Sequence, residues 1–302
     1  MSRLILGALG ALALSLPAAA QVQPFPADFH VQEVQTNGAV LHTRIGGHGP
    51  AVVLLHGLTA TRRYVVMGSR SLERSGHRVI AYDARGHGRS SPAVDPSAYT
   101  YADLSADLAA VMDASGVDRA VLAGASMGAH TLLWLALNRP QRVAGVVVIT
   151  PAYVDRRQAD DPDRLAHWEA LSEGLRSGGI DGFLAAQGEP TVPERWRETV
   201  VKVIRQRMSA HEHLDAVADA LRVVPASHPF ESVRDLASIS VPAVIVASDD
   251  DADPEHPRAI GEAYAETIPG ARLVTDEPGK SPVGWQGSQL SALIADVVAR
   301  AG

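Results

Sequence analysis

A serine between small residues is the strongest chemical signal in this chain of 302 residues. Ser126 lies in the sequence Gly-Ala-Ser-Met-Gly at residues 124–128, after the apolar run 120–123 and before the apolar run 129–137. Small residues at both ends of such a turn let a strand pass sharply into a helix, which holds the central serine exposed on a strained backbone. The pattern predicts that Ser126 is a nucleophile and that the N–H of Met127, at a helix N-terminus, stabilises the resulting oxyanion.

A second oxyanion donor is predicted in the loop that follows another apolar run. Residues 51–55 form this run, and His56 and Gly57 come directly after it. The backbone N–H of Leu58 is our candidate for the second donor, because such holes pair two N–H groups around one oxygen atom. We expect His56 to support the loop rather than to react.

Three motifs resemble those of the α/β-hydrolase superfamily, in particular its capped esterase, lactonase and haloperoxidase-like branch. They are the His56-Gly57 pair, the sequence Asp-x-Arg-Gly-His-Gly-x-Ser at residues 83–90, and the serine turn at residues 124–128. The resemblance implies a serine hydrolase that cleaves an ester-type bond, a carboxylic ester or lactone, in a small and largely apolar substrate. It implies no metal and no organic cofactor, and it makes His87 a structural loop residue.

The resemblance also implies an acidic residue after the penultimate strand of the sheet. The segment at residues 248–257 is rich in aspartate and follows an apolar run that matches this strand. Counting forward from Pro242 places the acid at Asp251, whereas counting back from Pro257 places it at Asp253. Both residues therefore stay candidates, and Asp253 is preferred.

The same aspartates also resemble the start of a calcium-binding loop. In such a loop carboxylates alternate, a glycine makes the sharp turn and a glutamate completes the coordination. Here Pro254 stands where the glycine is needed and Ile260 stands where the glutamate is needed. We therefore expect no metal site.

The catalytic base departs from the family pattern. Relatives carry a Gly-His pair after the last strand, whereas Lys280 follows Gly279 here and no histidine comes after His256. Four interpretations stay open: His256 acts from the acid loop, Lys280 acts after burial has lowered its pKa, a histidine such as His228 reaches the serine, or there is no base. The last predicts a weakened ligand-binding protein or a non-hydrolytic enzyme on the same fold. We expect Trp285 to line the pocket.

Short β-branched runs alternate with helical periodicity along the chain. This alternation predicts an α/β fold with a mostly parallel, twisted sheet and helices on both faces. A hairpin is predicted around Asn37-Gly38, and Thr100 and Asp103 predict a capping box at the start of a helix. Further strands are predicted at residues 51–55, 77–82, 119–123, 143–150, 243–247 and 272–275.

Residues 151–236 interrupt the alternation with charged, strand-free sequence. Helices are predicted there at residues 163–176, 193–208 and 211–223. Such an insertion covers the carboxyl ends of the strands, where α/β sheets bind ligands, so we predict a helical cap over a core of residues 21–150 and 237–302. His211 and His213 are expected on the surface of one cap helix.

The first twenty residues predict a cleaved secretory signal. Arg3 precedes an apolar run at residues 4–16, and three alanines at 18–20 match a cleavage site. The run is shorter than the roughly 20 residues that a bilayer span needs. We therefore expect a periplasmic or secreted protein without stable membrane insertion.

Composition limits the remaining classes of partner and chemistry. The formal net charge is −7, and no stripe rich in lysine and arginine is present, which argues against nucleic acid. There is no cysteine, so disulfides and thiol catalysis are excluded. The expected partner is a small-molecule substrate, and the sequence does not indicate an oligomeric state.

Overall fold

The computed structural model of the chain describes residues 29–249, 251, 253–277 and 281–302. The predicted signal segment and Lys280 therefore lie outside the described residues. In the described part, eight strands form one sheet. They are β1 (Phe29–Thr36), β2 (Ala39–Gly46), β3 (Ala51–Leu55), β4 (Arg78–Tyr82), β5 (Ala120–Ala125), β6 (Val143–Ile149), β7 (Ala243–Ala247) and β8 (Arg272–Thr275).

The strand order across this sheet is β1-β2-β4-β3-β5-β6-β7-β8. β1 and β2 form an antiparallel hairpin in which Thr36 faces Ala39, and Gly38 in the turn between them has a φ of 85°. A positive φ suits glycine, as the Asn-Gly pair predicts. β2 also pairs antiparallel with β4, and every other pairing in the sheet is parallel. The predicted mostly parallel sheet is confirmed.

Helices cover both faces of this sheet. They are α1 (Ser71–Arg74), α2 (Tyr101–Ala114), α3 (Met127–Asn138), α4 (Arg156–Ala159), α5 (Pro162–Gln187), α6 (Glu194–Met208), α7 (Leu214–Ala226), α8 (Arg258–Thr267) and α9 (Gly287–Ala301). Leu108 of α2, Leu132 of α3 and Tyr264 of α8 are buried in the cluster on one face. Leu290 and Ile294 of α9 are buried in the cluster on the other face. The strands between them are almost continuously apolar because both their faces are covered.

The capping box predicted at the start of α2 is present. The backbone N–H of Asp103 donates to Thr100 Oγ1 at 3.3 Å, and the backbone N–H of Thr100 donates to Asp103 Oδ2 at 3.0 Å. Two N–H groups that the helix cannot satisfy internally therefore have acceptors. The box fixes the start of α2, whose buried side chains pack on the sheet.

The segment between β6 and β7 is helical, with α4, α5, α6 and α7 in that order. α5 extends beyond the predicted residues 163–176. Its backbone breaks at Gly179 (φ 60°, ψ −145°), and a second helical stretch follows the break. The break brings Gly174 and Gly182 together: a Cβ atom on Gly182 would lie 2.1 Å from the Gly174 carbonyl oxygen. Leu171 and Leu221, on α5 and α7, share one buried apolar cluster. No helix in the described ranges combines the length and apolar character that a bilayer span requires.

Candidate active site

Ser126 lies at the junction between β5 and α3, on a backbone that few non-glycine residues adopt. Its φ is 49° and its ψ is −112°. Its N–H donates to the Ile149 carbonyl at 3.0 Å, and its carbonyl accepts from the His130 N–H at 3.1 Å. Conformations of this kind cost about 1–3 kcal/mol and persist where the surroundings enforce them, often at active sites. The turn leaves the Ser126 side chain partly exposed.

Both glycines of the turn are required by close backbone contacts. A Cβ atom on Gly124 would lie 2.4 Å from the carbonyl carbon of Gly128. A Cβ atom on Gly128 would lie 2.2 Å from the carbonyl oxygen of Leu55, at the end of β3. The sharp strand-to-helix turn inferred from the small residues is therefore present.

The loop after β3 lies beside Ser126, as the two predicted oxyanion donors require. A Cβ atom on Gly57 would lie 3.4 Å from Ser126 Cβ. Within the described residues, no acceptor is hydrogen-bonded to the N–H of Leu58. The N–H of Met127 lies in the first turn of α3, where N–H groups have no intrahelical acceptor. Both predicted donor groups therefore lie beside Ser126 without an acceptor among the described residues.

His56 supports this loop. Its Nε2 accepts a hydrogen bond from the Ala84 N–H at 2.9 Å, so its Nδ1–H donates to the Gly57 carbonyl, 2.8 Å away. Burial holds the pKa of His56 below its usual range, which keeps the ring neutral and this arrangement intact.

The motif at residues 83–90 is a structural scaffold beside the same loop. Arg85 forms a buried, bidentate ion pair with Asp107 of α2, and both N···O distances are 2.7 Å. Asp83 accepts from the backbone N–H of Arg62 at 2.9 Å and forms an ion pair with the Arg62 side chain. The ring of His87 packs between two other imidazoles and its Nδ1–H lies 2.9 Å from the Arg85 carbonyl. These contacts position the loops around Ser126.

His211 was expected on the surface of a cap helix, and that expectation is wrong. α7 begins only at Leu214, so His211 lies in the connection after α6, where it is 91% buried, with a relative exposure of 9%. Its Nδ1 accepts from the Gly88 N–H at 2.8 Å, and its Nε2–H donates to the Thr59 carbonyl at 3.0 Å. Burial lowers the pKa of His211 to about 4. This neutral imidazole therefore fastens the inserted helical segment to two loops, the one after β3 that contains Thr59 and the one after β4 that contains Gly88. We call them the nucleophile loops.

Asp253 and His256 form a hydrogen-bonded pair in the loop after β7. His256 Nδ1 lies 2.8 Å from Asp253 Oδ1. Burial alone would raise the pKa of Asp253, but the charge and hydrogen bond of His256, together with the charge of Arg207, hold it below its usual range. Burial alone would lower the pKa of His256, but the charge and hydrogen bond of Asp253 raise it above 6.5. The pair has the composition of the acid and base of a serine hydrolase.

Asp251 has a different environment. It is exposed, and its Oδ2 lies 3.4 Å from Arg195 Nη2 on α6. Neither a hydrogen bond nor an ion pair joins it to His256. Of the two candidate acids, Asp253 is the one that binds a histidine.

The charge of His256 acts on a residue of the helix that follows Ser126. Burial lowers the pKa of His130 to about 3, and the charge of His256 contributes to that shift. His130 is one turn after Ser126 in α3. No residue in the described part of the chain, His256 included, is hydrogen-bonded to Ser126 Oγ, and His256 Nε2 has no hydrogen-bond partner there either.

The other candidates have other partners. His228 Nε2 lies 2.9 Å from Asp160 Oδ1, in an open groove that Trp134 and Phe230 also line. Trp285 packs edge-to-face on Trp196 of α6, with ring centroids 5.6 Å apart. The inserted helical segment thus contacts the core close to the loop that follows β8.

Asp276, at the end of β8, is a positioning residue that sequence reasoning missed. Its two carboxylate oxygens accept from the Val283 N–H at 2.6 Å and the Asp249 N–H at 2.8 Å. The buried carboxylate therefore joins the aspartate-rich loop after β7, called the acid loop below, to the loop after β8. The only signal in the sequence was an acidic residue directly after an apolar strand, which occurs at many surface positions.

The fold and the geometry define the class of protein, and comparison with known families agrees. Residues 50–280 match the family model described as alpha/beta hydrolase fold. The match covers most of the chain, which therefore belongs to the α/β-hydrolase family and is an α/β-hydrolase enzyme.

Individual relatives are similar to this chain over the segments that align with it. "Putative carbamate hydrolase RutD" of Variovorax paradoxus is 31% identical over 215 residues, which are 70% of this chain and 79% of that protein. An epoxide hydrolase of Caballeronia sordidicola is 32% identical over 173 residues, 57% of this chain but only 50% of that protein. A thermophilic esterase from Thermogutta terrifontis superposes with a TM-score of 0.74 at 24% identity, covering 90% of this chain and 99% of that chain. At this level of identity, the similarity to the esterase shows a shared fold only.

Proposed function

We propose that this chain is an exported serine hydrolase that cleaves a carboxylic ester or lactone of a small substrate through an acyl-enzyme on Ser126. The observation that carries the proposal is the strained turn at Ser126, with φ at 49°, directly beside the loop that bears the Leu58 N–H. A nucleophile at this junction with two unused N–H groups beside it is the arrangement that acyl transfer requires.

The proposed reaction uses the groups around Ser126 in sequence. Ser126 Oγ attacks the substrate carbonyl while His256 Nε2 takes its proton, and Asp253 orients the imidazole and stabilises its positive charge. The N–H groups of Leu58 and Met127 bind the oxyanion. The oxyanion then collapses, His256 gives the proton to the leaving alcohol, and an acyl group stays on Ser126. Water attacks this ester with His256 again as base, which releases the acid and restores Ser126.

His256 is the base in this proposal because its geometry favours it over the alternatives. Its Nδ1 is held by Asp253 at 2.8 Å, which directs Nε2 away from the acid. His228 is instead bound to Asp160. Lys280 stays an alternative that lies outside the described residues.

The inserted helices form the cap in this proposal and restrict the substrate to small molecules. Leu58 packs against the cluster that contains Met127 and also against the cluster of α5, α6 and α7. The oxyanion loop is therefore in apolar contact with the inserted segment. An apolar roof excludes water and strengthens the interaction of the two N–H donors with the oxyanion.

Export is proposed from the sequence of residues 1–20. The test is to express the full chain in a Gram-negative host and to sequence the N-terminus of the protein recovered from the periplasm. Cleavage near Gln21 supports export, whereas an intact N-terminus in the cytoplasm contradicts it.

The decisive experiment for the reaction is labelling with a fluorophosphonate probe, combined with hydrolysis of short para-nitrophenyl esters, a lactone and a carbamate ester. The carbamate is included because one relative is named for that activity. Ser126→Ala should lose both labelling and turnover. Ser177→Ala, an exposed serine on α5, is the matched control and should lose neither. If the folded wild type neither labels nor turns over any substrate, the proposed reaction is wrong and a ligand-binding or non-hydrolytic role takes its place.

A further inference from the structure

Arg207, in the last turn of α6, is a half-buried cation for which no described residue is a hydrogen-bond acceptor. Its Nε atom is completely buried and unpartnered, and no other described residue accepts a hydrogen bond from its guanidinium. The side chain as a whole stays partly accessible. Leaving a guanidinium nitrogen buried without a partner is costly, because the group loses its water and gains nothing in return.

The other arginines of α6 differ from Arg207 in this respect. Each forms an ion pair with a carboxylate: Arg195 with Asp251, Arg197 with Glu189 and Arg205 with Asp181. All three are exposed by more than 40% of the side chain. Among the arginines of α6, Arg207 is therefore the one with a buried Nε and no carboxylate partner among the described residues.

The charge of Arg207 acts on the proposed acid and base. Burial has the largest influence on the pKa values of Asp253 and His256, and the charge of Arg207 also acts on both, lowering each. Burial lowers the pKa of Arg207 itself, while the charges of Asp253 and Tyr64 act to raise it. Ile204 and Met208, on either side of Arg207 in α6, are buried in the apolar cluster that Leu58 also contacts, and His211 holds the end of α6 to Gly88 and Thr59.

The charges around Arg207 leave room for one further anion. Asp253 is within electrostatic range but no ion pair joins the two, and its Oδ1 is already bound to His256. When His256 is protonated during the reaction, Asp253 balances that charge, and no other described residue is paired with Arg207. An anionic group on the substrate would accept hydrogen bonds from the accessible terminal nitrogens of the guanidinium and supply the missing charge.

We propose that Arg207 binds a free carboxylate of the substrate, so that the bond cleaved at Ser126 belongs to the half-ester of a small dicarboxylic acid or to a lactone that bears a carboxylate, rather than to a neutral molecule. The inference rests on the proposed hydrolase function and narrows its substrate. The planar guanidinium matches a carboxylate with two parallel hydrogen bonds, which a half-buried, pre-positioned arginine makes at little cost in entropy. The remaining apolar surface of the site takes the carbon chain.

The experiment compares two esters that differ only in charge. They are the para-nitrophenyl ester of glutaric acid, with a free carboxylate, and the same ester with that carboxylate converted to a carboxamide. The wild type should favour the carboxylate ester in kcat/KM, and Arg207→Met should lower kcat/KM for it by about 10- to 100-fold, mainly through KM. Turnover of the carboxamide ester should change much less, and Arg207→Lys should retain part of the preference.

Arg205→Met is the matched control, because Arg205 lies on the same helix and is exposed and paired with Asp181. It should keep the wild-type preference. Melting temperatures of all variants show whether Arg207→Met is folded. Equal losses on both esters, or a wild type without a preference for the carboxylate ester, would overturn the proposal.

Binding of free glutarate separates this proposal from the proposed reaction. Calorimetry should show glutarate binding to the wild type and to Ser126→Ala, and no binding to Arg207→Met. If no ester is turned over but this pattern is found, the carboxylate site stands and the reaction is wrong. Tighter binding of inorganic phosphate than of glutarate would overturn the carboxylate assignment.

Discussion

His256 Nδ1 lies 2.8 Å from Asp253 Oδ1, and the His256 N–H donates to the Asp253 carbonyl at 3.1 Å. One turn of the acid loop therefore supplies both members of the proposed pair. In the family pattern that the sequence resembles, the histidine comes from the loop after the last strand. The short separation here makes the geometry of the pair depend on this loop alone.

Replacing His256 tests whether this pair performs the proton transfers. His256→Ala should lower kcat for a para-nitrophenyl ester by about a thousandfold, because Ser126 loses its base while the oxyanion donors remain. Asp253→Asn should give a loss of similar size through the wrong orientation of the imidazole. Steady-state kinetics on purified, folded variants measures both losses.

Asp251→Asn is the discriminating control for that experiment. Asp251 is exposed and paired with Arg195, so its removal should change kcat by no more than about twofold. Undiminished turnover in His256→Ala would contradict the assignment of the base. A large loss in Asp251→Asn alone would transfer the role of the acid to that residue.

The pH dependence of hydrolysis should report the charge of His256. A protonated imidazole cannot accept the Ser126 proton, so kcat/KM should rise with pH through the pKa of His256, which Asp253 raises above 6.5. In Asp253→Asn the carboxylate charge is gone, while burial, which lowers this pKa, stays. The midpoint of the residual activity should therefore move to lower pH. A midpoint that stays the same would show that another group controls the profile.

The fold could be predicted from the sequence because its signals are local. The continuous apolar runs give the buried strands, Asn37-Gly38 gives the hairpin, and Thr100 with Asp103 gives the capping box. Each of these signals is formed by residues that are close together in the sequence. The position of Ser126 followed for the same reason, since its turn is defined by glycines two residues away on either side.

The supporting residues of the site could not be predicted in this way. His211 contacts Thr59, 152 positions earlier in the chain, and Asp276 contacts Asp249, 27 positions earlier. No periodicity marks such contacts, and a polar residue after a helix or strand is most often exposed. The choice between Asp251 and Asp253 was ambiguous because the length of the loop, rather than its composition, sets the register.

Gly128→Ala should destabilise the fold more than most substitutions. The added methyl group would overlap the Leu55 carbonyl oxygen, 2.2 Å away, and this backbone atom belongs to a buried strand that cannot move aside. We expect a loss of about 3 kcal/mol in the free energy of unfolding, at the upper end of the range for overpacking. Urea unfolding measures it.

Gly178→Ala is the matched control for this substitution. A Cβ atom at Gly178 meets nothing within 4 Å, so the substitution should be neutral or stabilise α5 by up to about 1 kcal/mol. Equal effects of the two substitutions would show that the close approach of α3 to β3 is not what fixes glycine at position 128.

His211→Asn should change how stability depends on pH. The folded pKa of His211 is about 4, below the unfolded value of 6.5, so the unfolded chain binds a proton first as the pH falls, and the folded state loses stability from about pH 6.5 downward. Between about pH 7.5 and about pH 5, His211 should account for about 2 kcal/mol of that loss.

His211→Asn should therefore be less stable than the wild type at neutral pH, because the shorter side chain cannot replace the Nε2–H that donates to the Thr59 carbonyl, yet its stability should fall less on acidification. Urea unfolding at both pH values measures the two effects separately. His213→Asn, two residues away and less buried, is the control and should keep the pH dependence of the wild type. If His211→Asn also keeps it, the imidazole is protonated alike in the folded and unfolded chains, and a neutral His211 is not what fastens the inserted helices to the nucleophile loops.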